Sequence, residues 1–347
     1  MKKKIIIGVI SAFTLLLVSF TVYYFVSITA VDKNNTKEIV FNINPGTSKV
    51  DIAKNLKSAG VIRNDKTAMI YLFFNSDLSL QAGEYSLNKT MNLKEILTKF
   101  NKGDIRVETT TITFVEGKRL KEYIGLISKE FEVTEEEIIN VINDKEFLKE
   151  MINKYWFLTD EVLNDKIYYG LEGYILPDTY EFLSSDSIKD IFIRLLDYTD
   201  KKLSPFKDKI EKSKYSVHEI LAMASIIELE ANSASDRKTV SQVIYKRLDY
   251  NMSLGMDVTT YYATQKQMGE TLTYKDLMSE NAYNTRNTNM LGLPVGPICN
   301  PSNISIDAVF NPSNTDYLYF YADIKTGLVY FAKTSAEFNQ IIKEVGW

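Results

Sequence analysis

The sequence predicts an α+β protein that begins with a single membrane-spanning helix. Three observations support this fold class: a long uncharged run at the start, short strand–turn–helix patterns after it, and longer helical patterns from about residue 107. Of the 347 residues, 45% are hydrophobic and 25% are charged, as in globular proteins with a substantial core. We expect a cytoplasmic tail (1–4), a transmembrane helix (5–31), a small α+β module (32–106) and a mixed α+β domain (107–347).

The uncharged run covers residues 5–31 and follows the sequence "MKKK". About 20 apolar residues cross a bilayer, and lysines before the run predict a cytoplasmic N-terminus with the rest of the chain outside the cytoplasm. A cleaved signal peptide is the alternative. Its apolar region would be far longer than usual and "SITA" is a poor cleavage site, so we expect a retained membrane anchor.

Charge and cysteine content exclude several classes of function. The formal net charge is −4 and the pI is about 5.4, which gives no broad basic surface, so we expect no nucleic-acid partner. Cys299 is the only cysteine. It allows neither an intramolecular disulfide nor a thiolate metal cluster, and we expect neither a metal nor a cofactor.

The predicted module begins with a strand through Val40 and Ile43, a turn at Pro45-Gly46, and a helix that starts at Thr47 or Ser48. Related patterns follow in "AGEYSLNKTMNLKEILTKFNKG" and "TITFVEGKRLKEYIGLISKEF". These are either weak internal repeats of one α+β unit or independent examples of a common pattern.

The C-terminal domain combines helices, loops and a hairpin. "DYLYFYADIKTGLVYFA" predicts two alternating strands about a Lys325-Thr326-Gly327 turn. Two polar and aromatic stretches, 168–182 and 279–302, predict irregular loops. The predicted helices cover residues 118–130, 134–155 in pieces, 187–213, 216–231 and 235–250.

Glu228 lies on the apolar face of the predicted helix 216–231. A helical wheel of about 100° per residue places it one turn after Ala224 and two after Leu221, whereas Glu230 projects about 200° away. A carboxyl group among apolar side chains must be neutralised, paired or used in function.

Two interpretations of Glu228 follow. Desolvation would raise its pKa, so that it could carry a proton at neutral pH and act as a general acid, with Ser225 placed to hydrogen-bond it. Alternatively it pairs with a cation such as Arg237 and is structural. His218, the only histidine, excludes His-dependent triads unless it serves in one itself, and we expect it to be structural and partly exposed.

The two loops carry residue types that suit a sugar-binding site. Tyr283, Asn284 and Thr285 offer a ring face and hydrogen-bonding groups, and we expect them to bind substrate. A second set offers similar groups, but for these a capping or core-edge role is favoured: Glu172, Tyr174, Asp178 and Tyr180.

Taken together, the motifs resemble the endolytic murein transglycosylase family (YceG-like). The ordered set is the apolar anchor followed by "PGTSKVDIAKNLKSAGVI", "AGEYSL", "LEGYILPDTYEF", "ASIIELEA", "VIYKRL", "YNT", "GLPVGPICNP" and "YLYFYAD". The resemblance implies a membrane-anchored enzyme with a LysM-like module and an extracytoplasmic catalytic domain. It also implies internal cleavage of nascent peptidoglycan glycan strands, a role in ending glycan elongation, and a catalytic glutamate at Glu228.

One segment departs from the family pattern. Where the family has a Gln-Ser/Thr-Asp-Pro-Thr run, this chain has Gly255-Met256-Asp257-Val258-Thr259. Asp257 and Thr259 are kept while the Gln and Pro are lost. Asp257 therefore stays a predicted substrate-binding residue, and a contact made by that Gln is not expected here.

The resemblance implies a single-carboxylate mechanism. Glu228 would protonate the leaving glycosidic oxygen while the muramic C6 hydroxyl attacks C1, which leaves 1,6-anhydro ends. Two alternatives are a hydrolase that adds Asp257 as a second carboxylate, and a membrane-anchored scaffold that binds peptidoglycan and cell-wall synthases while Glu228 is structural.

Overall fold

The computed structural model describes residues 2–323 and 326–345. The chain divides into two compact units, Met1–Glu108 and Thr109–Trp347. Met1 of the predicted cytoplasmic tail, Lys325 of the predicted turn and the last two residues lie outside the described residues. The mixed α+β composition that the sequence predicts is confirmed.

The first unit starts with helix α1, Lys2–Ser27. Its segment Ile6–Ser27 has a mean hydropathy of 2.2 and is long and apolar enough to cross a membrane. The most apolar 18-residue window of this segment contains no buried residue.

The rest of the first unit is a two-stranded antiparallel sheet covered by three helices. Strands β1 (Ile39–Ile43) and β2 (Gly83–Leu87) pair with Phe41 opposite Tyr85. Alternate strand residues face the core because side chains alternate across a strand. Ser48 caps the first helix by accepting from the Asp51 backbone N–H, at the predicted start. The helices are α2 (Lys49–Ser58), α3 (Asp65–Phe74), which the sequence analysis did not predict, and α4 (Leu93–Lys102).

The second unit contains a sheet of two distant strands, β3 (Thr109–Phe114) and β4 (Asp178–Leu183). Strand β4 corrects the prediction that 168–182 is entirely irregular. Its residues Tyr180 and Phe182 are buried while their neighbours are not, which is the alternation of a half-buried strand. The third sheet confirms the predicted C-terminal hairpin, with strands β5 (Tyr319–Ala322) and β6 (Val329–Ala332).

Eleven further helices complete the described part of the second unit. Four of them, all after residue 250, were not predicted. The predicted helices are α5 (Leu120–Phe131), α6 (Glu135–Ile142), α7 (Lys145–Lys154), α8 (Ile188–Leu203), α9 (Lys207–Glu211), α10 (Val217–Glu230) and α11 (Ala234–Asp249). The unpredicted helices are α12 (Asp257–Ala263), α13 (Tyr274–Leu277), α14 (Asn303–Phe310) and α15 (Ser335–Val345).

Helix α10 lies at the centre of the second unit. Every residue from Val217 to Glu228 is buried except Glu219. Ser216 and Glu219 form a capping box at its start, and Ala231 ends it in an extended conformation. The helix packs against α11, α12 and α14. Its last turn therefore emerges from the core among several elements, and this turn carries both Glu228 and Glu230.

Candidate active site

Glu228 is buried at the predicted position, and its carboxylate is fully engaged with protein groups. Arg237 Nη2 on α11 donates to Glu228 Oε1 at 2.9 Å, and both side chains are under 10% exposed. The other oxygen accepts from the backbone N–H of Ser302 at 2.9 Å and from its hydroxyl at 2.6 Å. These contacts leave the carboxylate enclosed by three donors.

Positive charge and hydrogen-bond donors surround the Glu228 carboxyl group. Ser302 is the N-cap of α14, so the carboxylate lies at the positive end of that helix as well as beside Arg237. Arg237 also donates to Ser302 Oγ and to the Ala231 carbonyl, which joins the ends of α10 and α14 to α11. The geometry favours the structural alternative for Glu228, and its role as general acid stays a prediction.

Two expectations around Glu228 are wrong. Ser225 does not bond to it: the Ser225 hydroxyl donates to the Ala222 carbonyl at 2.8 Å and accepts from the Ile298 N–H at 3.0 Å. His218 is structural as expected but is buried, 4% exposed, between the Tyr174 hydroxyl and the Val295 carbonyl. Burial lowers the pKa of His218.

Glu230 ends the same helix in a different environment. It is partly exposed, and none of the residues that the structure describes donates a hydrogen bond to its carboxyl group. Desolvation by the surrounding protein, with a smaller contribution from the negative charge of Asp257, raises the pKa of Glu230 to about 8. Arg286 and Arg247 oppose this shift. A carboxylic acid with this pKa carries its proton at neutral pH.

Asp257 and Arg286 form the charged border beside Glu230. Asp257 Oδ1 lies 3.0 Å from Arg286 Nε, and these side chains are 44% and 36% exposed. Arg247 is more enclosed: it donates to the Leu318 carbonyl at 2.7 Å and lies over the Tyr319 ring. The site thus contains the Glu230 carboxyl group with its raised pKa, the partly exposed Asp257–Arg286 ion pair, and the Arg247 guanidinium, which protein contacts hold in place.

Gly255 explains the departure from the family pattern at this segment. Its φ of +62° is in the left-handed region that glycine adopts without strain. Its carbonyl accepts from Arg286 Nη1 at 3.1 Å, and its N–H donates to the Thr285 carbonyl at 2.9 Å. A Cβ here would approach Arg247 Nη1 to 3.2 Å. The glycine therefore lets the backbone approach both arginines.

The predicted sugar-binding residues Tyr283, Asn284 and Thr285 are buried, each no more than 2% exposed. The Asn284 amide accepts from the Thr260 hydroxyl and from the backbone N–H of Arg286, and donates to the Ser279 carbonyl. Thr285 bonds to Thr259. Their side chains fix the loop that carries Arg286, and contact between them and a glycan stays a prediction that this geometry does not favour.

Glu172, in the other loop, has a structural position. It is 1% exposed and accepts from the Leu120 N–H and the Tyr262 hydroxyl, both at 2.8 Å. Burial raises the pKa of Glu172 to about 7. The favoured capping role for this stretch agrees with these contacts. Among the described residues, no group of three or more His, Cys, Asp and Glu side chains is placed to bind a metal ion.

Comparisons with known proteins agree with the fold and with the motif order. The sequence profile of the YceG-like family matches residues 41–344. The chain belongs to the YceG-like family. A crystal structure of a yceG-like protein from Listeria monocytogenes superposes with a TM-score of 0.63 at 36% identity, covering 88% of this chain and 99% of that one.

Two members of the YceG-like family with curated names are similar over most of this chain. The "Endolytic murein transglycosylase" of Bacillus subtilis is 36% identical over 313 residues, which is 89% of this chain and 85% of that protein. The protein of the same name from Streptococcus pneumoniae serotype 2 is 28% identical over 338 residues, 93% of this chain. This chain spans only 61% of that longer relative.

Sequence reasoning missed Glu230 as a functional candidate in this YceG-like chain. The helical wheel drew attention to Glu228, because a carboxylate on the apolar face of a helix is more unusual than one that projects away from it. The position of Glu230 in the sequence could have identified it. It is the second acid in "ELEA" and faces away from the first, at the end of an otherwise apolar helix. An acid that leaves the core at a helix end is more accessible to a substrate than one within the packed face.

Proposed function

We propose that this chain is an endolytic murein transglycosylase whose general acid is Glu230. The observation that carries the residue assignment is the environment of Glu230: partly exposed, beside the Asp257–Arg286 pair, with its pKa raised to about 8. The substrate class rests on the family and on the names of the relatives. The substrate is the glycan strand of peptidoglycan.

The mechanism needs only one proton-carrying group. Protonated Glu230 donates its proton to the glycosidic oxygen that leaves C1 of the muramic residue, and the C1–O bond breaks. The C6 hydroxyl oxygen of the same sugar forms a bond to C1 and gives its proton to the Glu230 carboxylate, which restores the acid. Since the nucleophile is part of the substrate, proximity replaces an activated water.

Asp257 and Arg286 set the protonation state of Glu230 and border the site. The negative charge of Asp257 favours the neutral form of Glu230, while Arg286 limits this effect. The exposed part of the Arg286 guanidinium is able to donate to hydroxyl or carboxylate oxygens of the glycan. Asp257 is thus a positioning and electrostatic residue in this proposal.

The decisive experiment compares two isosteric variants, Glu230→Gln and Glu228→Gln, on purified peptidoglycan. Glu230→Gln removes the transferable proton at an unpaired group, so we expect a normal fold and a loss of about 10²–10⁴-fold in cleavage rate. Glu228→Gln removes the charge that pairs with buried Arg237. We expect it to lower the free energy of unfolding by about 3 kcal/mol.

The products identify the reaction type. Mass spectrometry of the digest should find 1,6-anhydro-muramic ends, lighter by one water than hydrolytic ends. Reducing ends would instead support the two-carboxylate hydrolase, with Asp257 as the second group. Full activity of Glu230→Gln together with an inactive, stably folded Glu228→Gln would return the acid role to Glu228. Absence of cleavage by the native chain would favour the binding scaffold.

The proposal extends to location and partners. We propose that α1 is a retained anchor with residues 32–347 outside the cytoplasm, as the lysines before the span favour. The module of residues 32–106 is LysM-like and binds peptidoglycan in this proposal, and cell-wall synthases are the expected protein partners. A role in ending glycan elongation would follow from cleavage close to the membrane.

A further inference from the structure

Helix α3 carries the most exposed apolar surface among the described residues that follow α1. Phe73 and Phe74 are each 77% exposed. They border a groove of about 470 Å³. The groove is lined by Lys49, Val50, Met69, Ile70, Leu72, Phe73 and Phe74, which we call the α3 face.

The composition of α3 is unusual for a helix on a water-exposed surface. Its sequence "DKTAMIYLFF" has no charged residue after its first two positions, yet only Thr67, Ala68 and Leu72 are buried. Soluble proteins rarely expose adjacent large apolar side chains on one element, because the hydrophobic effect opposes it. Something apolar is therefore expected to cover the face.

The position of α3 relative to α1 indicates what covers it. Asn64, the N-cap of α3, donates to the Tyr23 hydroxyl at 2.8 Å. This hydrogen bond places the start of α3 beside the C-terminal end of α1.

The module has no flexible linker to α1. The Arg63 guanidinium donates to the Ala30 carbonyl at 2.6 Å and to the Val31 carbonyl at 3.0 Å. The Leu93 N–H, at the start of α4, donates to the Ile28 carbonyl at 3.0 Å. Ser27 and Ala30 are buried. These contacts fix the depth of α3 relative to the membrane span.

That depth is the interface between lipid headgroups and acyl chains. The span Ile6–Ser27 has 22 residues and, at about 1.5 Å per residue, matches a hydrocarbon core of about 30 Å. Tyr23 and Tyr24 lie at its C-terminal end, where interfacial tyrosines are enriched in membrane proteins. A helix that starts beside α1 at this level lies close to the membrane surface.

We propose that the α3 face docks onto the bilayer in which α1 is anchored, with Phe73 and Phe74 inserted between the lipid headgroups and the upper acyl chains. Exposed Lys66 lies on the same helix as the inserted rings and can pair with a lipid phosphate, whereas Lys49, which lines the groove, is partly buried and donates to the Ser76 carbonyl. The module is then held flat on the membrane by two contacts, α1 and α3. The proposal depends on α1 spanning the bilayer and is independent of Glu230 chemistry.

The test places an environment-sensitive fluorophore on the full chain in lipid nanodiscs with one copy per disc. Single variants Phe73→Cys and Phe74→Cys are labelled, and native Cys299 is buried. Lipids with a spin label near the headgroup should quench most of the emission at both positions. Val40→Cys, 49% exposed on β1, is the matched control for an exposed apolar residue and should keep its emission.

A second label separates insertion of the rings from mere closeness to lipid. A fluorophore at Lys66→Cys, on the same helix, should be quenched in the otherwise native chain and quenched less strongly in a Phe73→Ser/Phe74→Ser background, where only the contacts with α1 hold the module at the membrane. Quenching at residues 73 and 74 no stronger than at Val40 would overturn the proposal. Quenching that requires several copies per vesicle would also overturn it, because it would assign the face to a second copy of the chain.

Discussion

Glu228 and Glu230 lie two positions apart on α10 and have opposite environments. Glu228 is enclosed by Arg237 and Ser302, which stabilise its charge. Glu230 lies at the helix end without a hydrogen-bond donor among the described residues, and its pKa is raised to about 8. Two carboxyl groups in different environments can take different chemical roles, and we propose an ion pair within the core for Glu228 and a proton donor at its edge for Glu230.

The pH dependence of cleavage tests the assignment of Glu230. If protonated Glu230 is the acid, kcat/KM falls as the pH rises through about 8. Asp257→Asn removes a negative charge that raises the pKa of Glu230, so this alkaline limb should move to lower pH. Arg286→Gln removes a positive charge and should move the limb to higher pH, while Arg286→Lys, which keeps the charge, serves as the control. Limbs that coincide in all four proteins would contradict the assignment.

The burial of Glu228 could be predicted from the sequence, whereas its partner set could not. The helical period places a side chain on a face but does not identify residues from elsewhere in the chain. Arg237 was one plausible cation among several, and Ser302 lies 74 positions away. The same limit applies to Asn284: its residue type suits a sugar, but the five hydrogen bonds of its side chain are to protein groups.

At the scale of elements, the long helices and the terminal hairpin could be predicted from the sequence. Short helices, and the pairing of strands far apart in the sequence, could not. Helix α10 has a capping box and an apolar stripe, both local signals. Strand β4 has six residues, and its partner β3 begins 69 positions earlier, so no local signal separates it from a loop. Helix α3 was missed because its apolar residues show no amphipathic period.

Glu172 joins its own loop to helices α5 and α12. Because its pKa is raised in the folded chain, the free energy of unfolding should depend on pH. Glu172 accepts from the first N–H of α5 and from Tyr262 of α12. Its pKa is about 7 in the folded chain against 4.5 as the reference. The folded state then binds more protons than the unfolded state between these values, so stability falls as the pH rises through this window, by about 3 kcal/mol in total.

Glu172→Gln should remove this contribution. Chemical unfolding of the full chain in detergent, followed by tryptophan fluorescence, would measure the free energy at pH 5 and pH 8. We expect the native chain to lose more stability over this range than the variant. Glu122→Gln, which changes an acid near the start of α5 that is about half exposed, is the control. Equal pH dependence in the native chain and Glu172→Gln would refute the argument.

At the scale of the whole molecule, the arrangement about the membrane decides whether the proposed chemistry can meet its substrate. Ile6–Ser27 is the one candidate span among the described residues, so everything after it lies on a single side of the bilayer if α1 is retained. Three lysines precede the span, and a mixed-charge "DKNNTKE" follows it. Lysine and arginine favour the cytoplasmic side of a span, so the sequence predicts that the proposed active site lies outside the cytoplasm.

A pair of reporters fused after residue 347 tests this orientation in cells. A phosphatase that folds only outside the cytoplasm should be active, and a fluorescent protein that matures only in the cytoplasm should stay dark. Fusions before residue 1 should give the opposite pattern and are the internal control. A bright C-terminal fluorescent fusion would reverse the predicted topology, because the Glu230 site would then be separated from the glycan strands. Recovery of a soluble chain that starts near residue 31 would replace the anchor with a cleaved signal, and the α3 face would then lose the span that determines its depth.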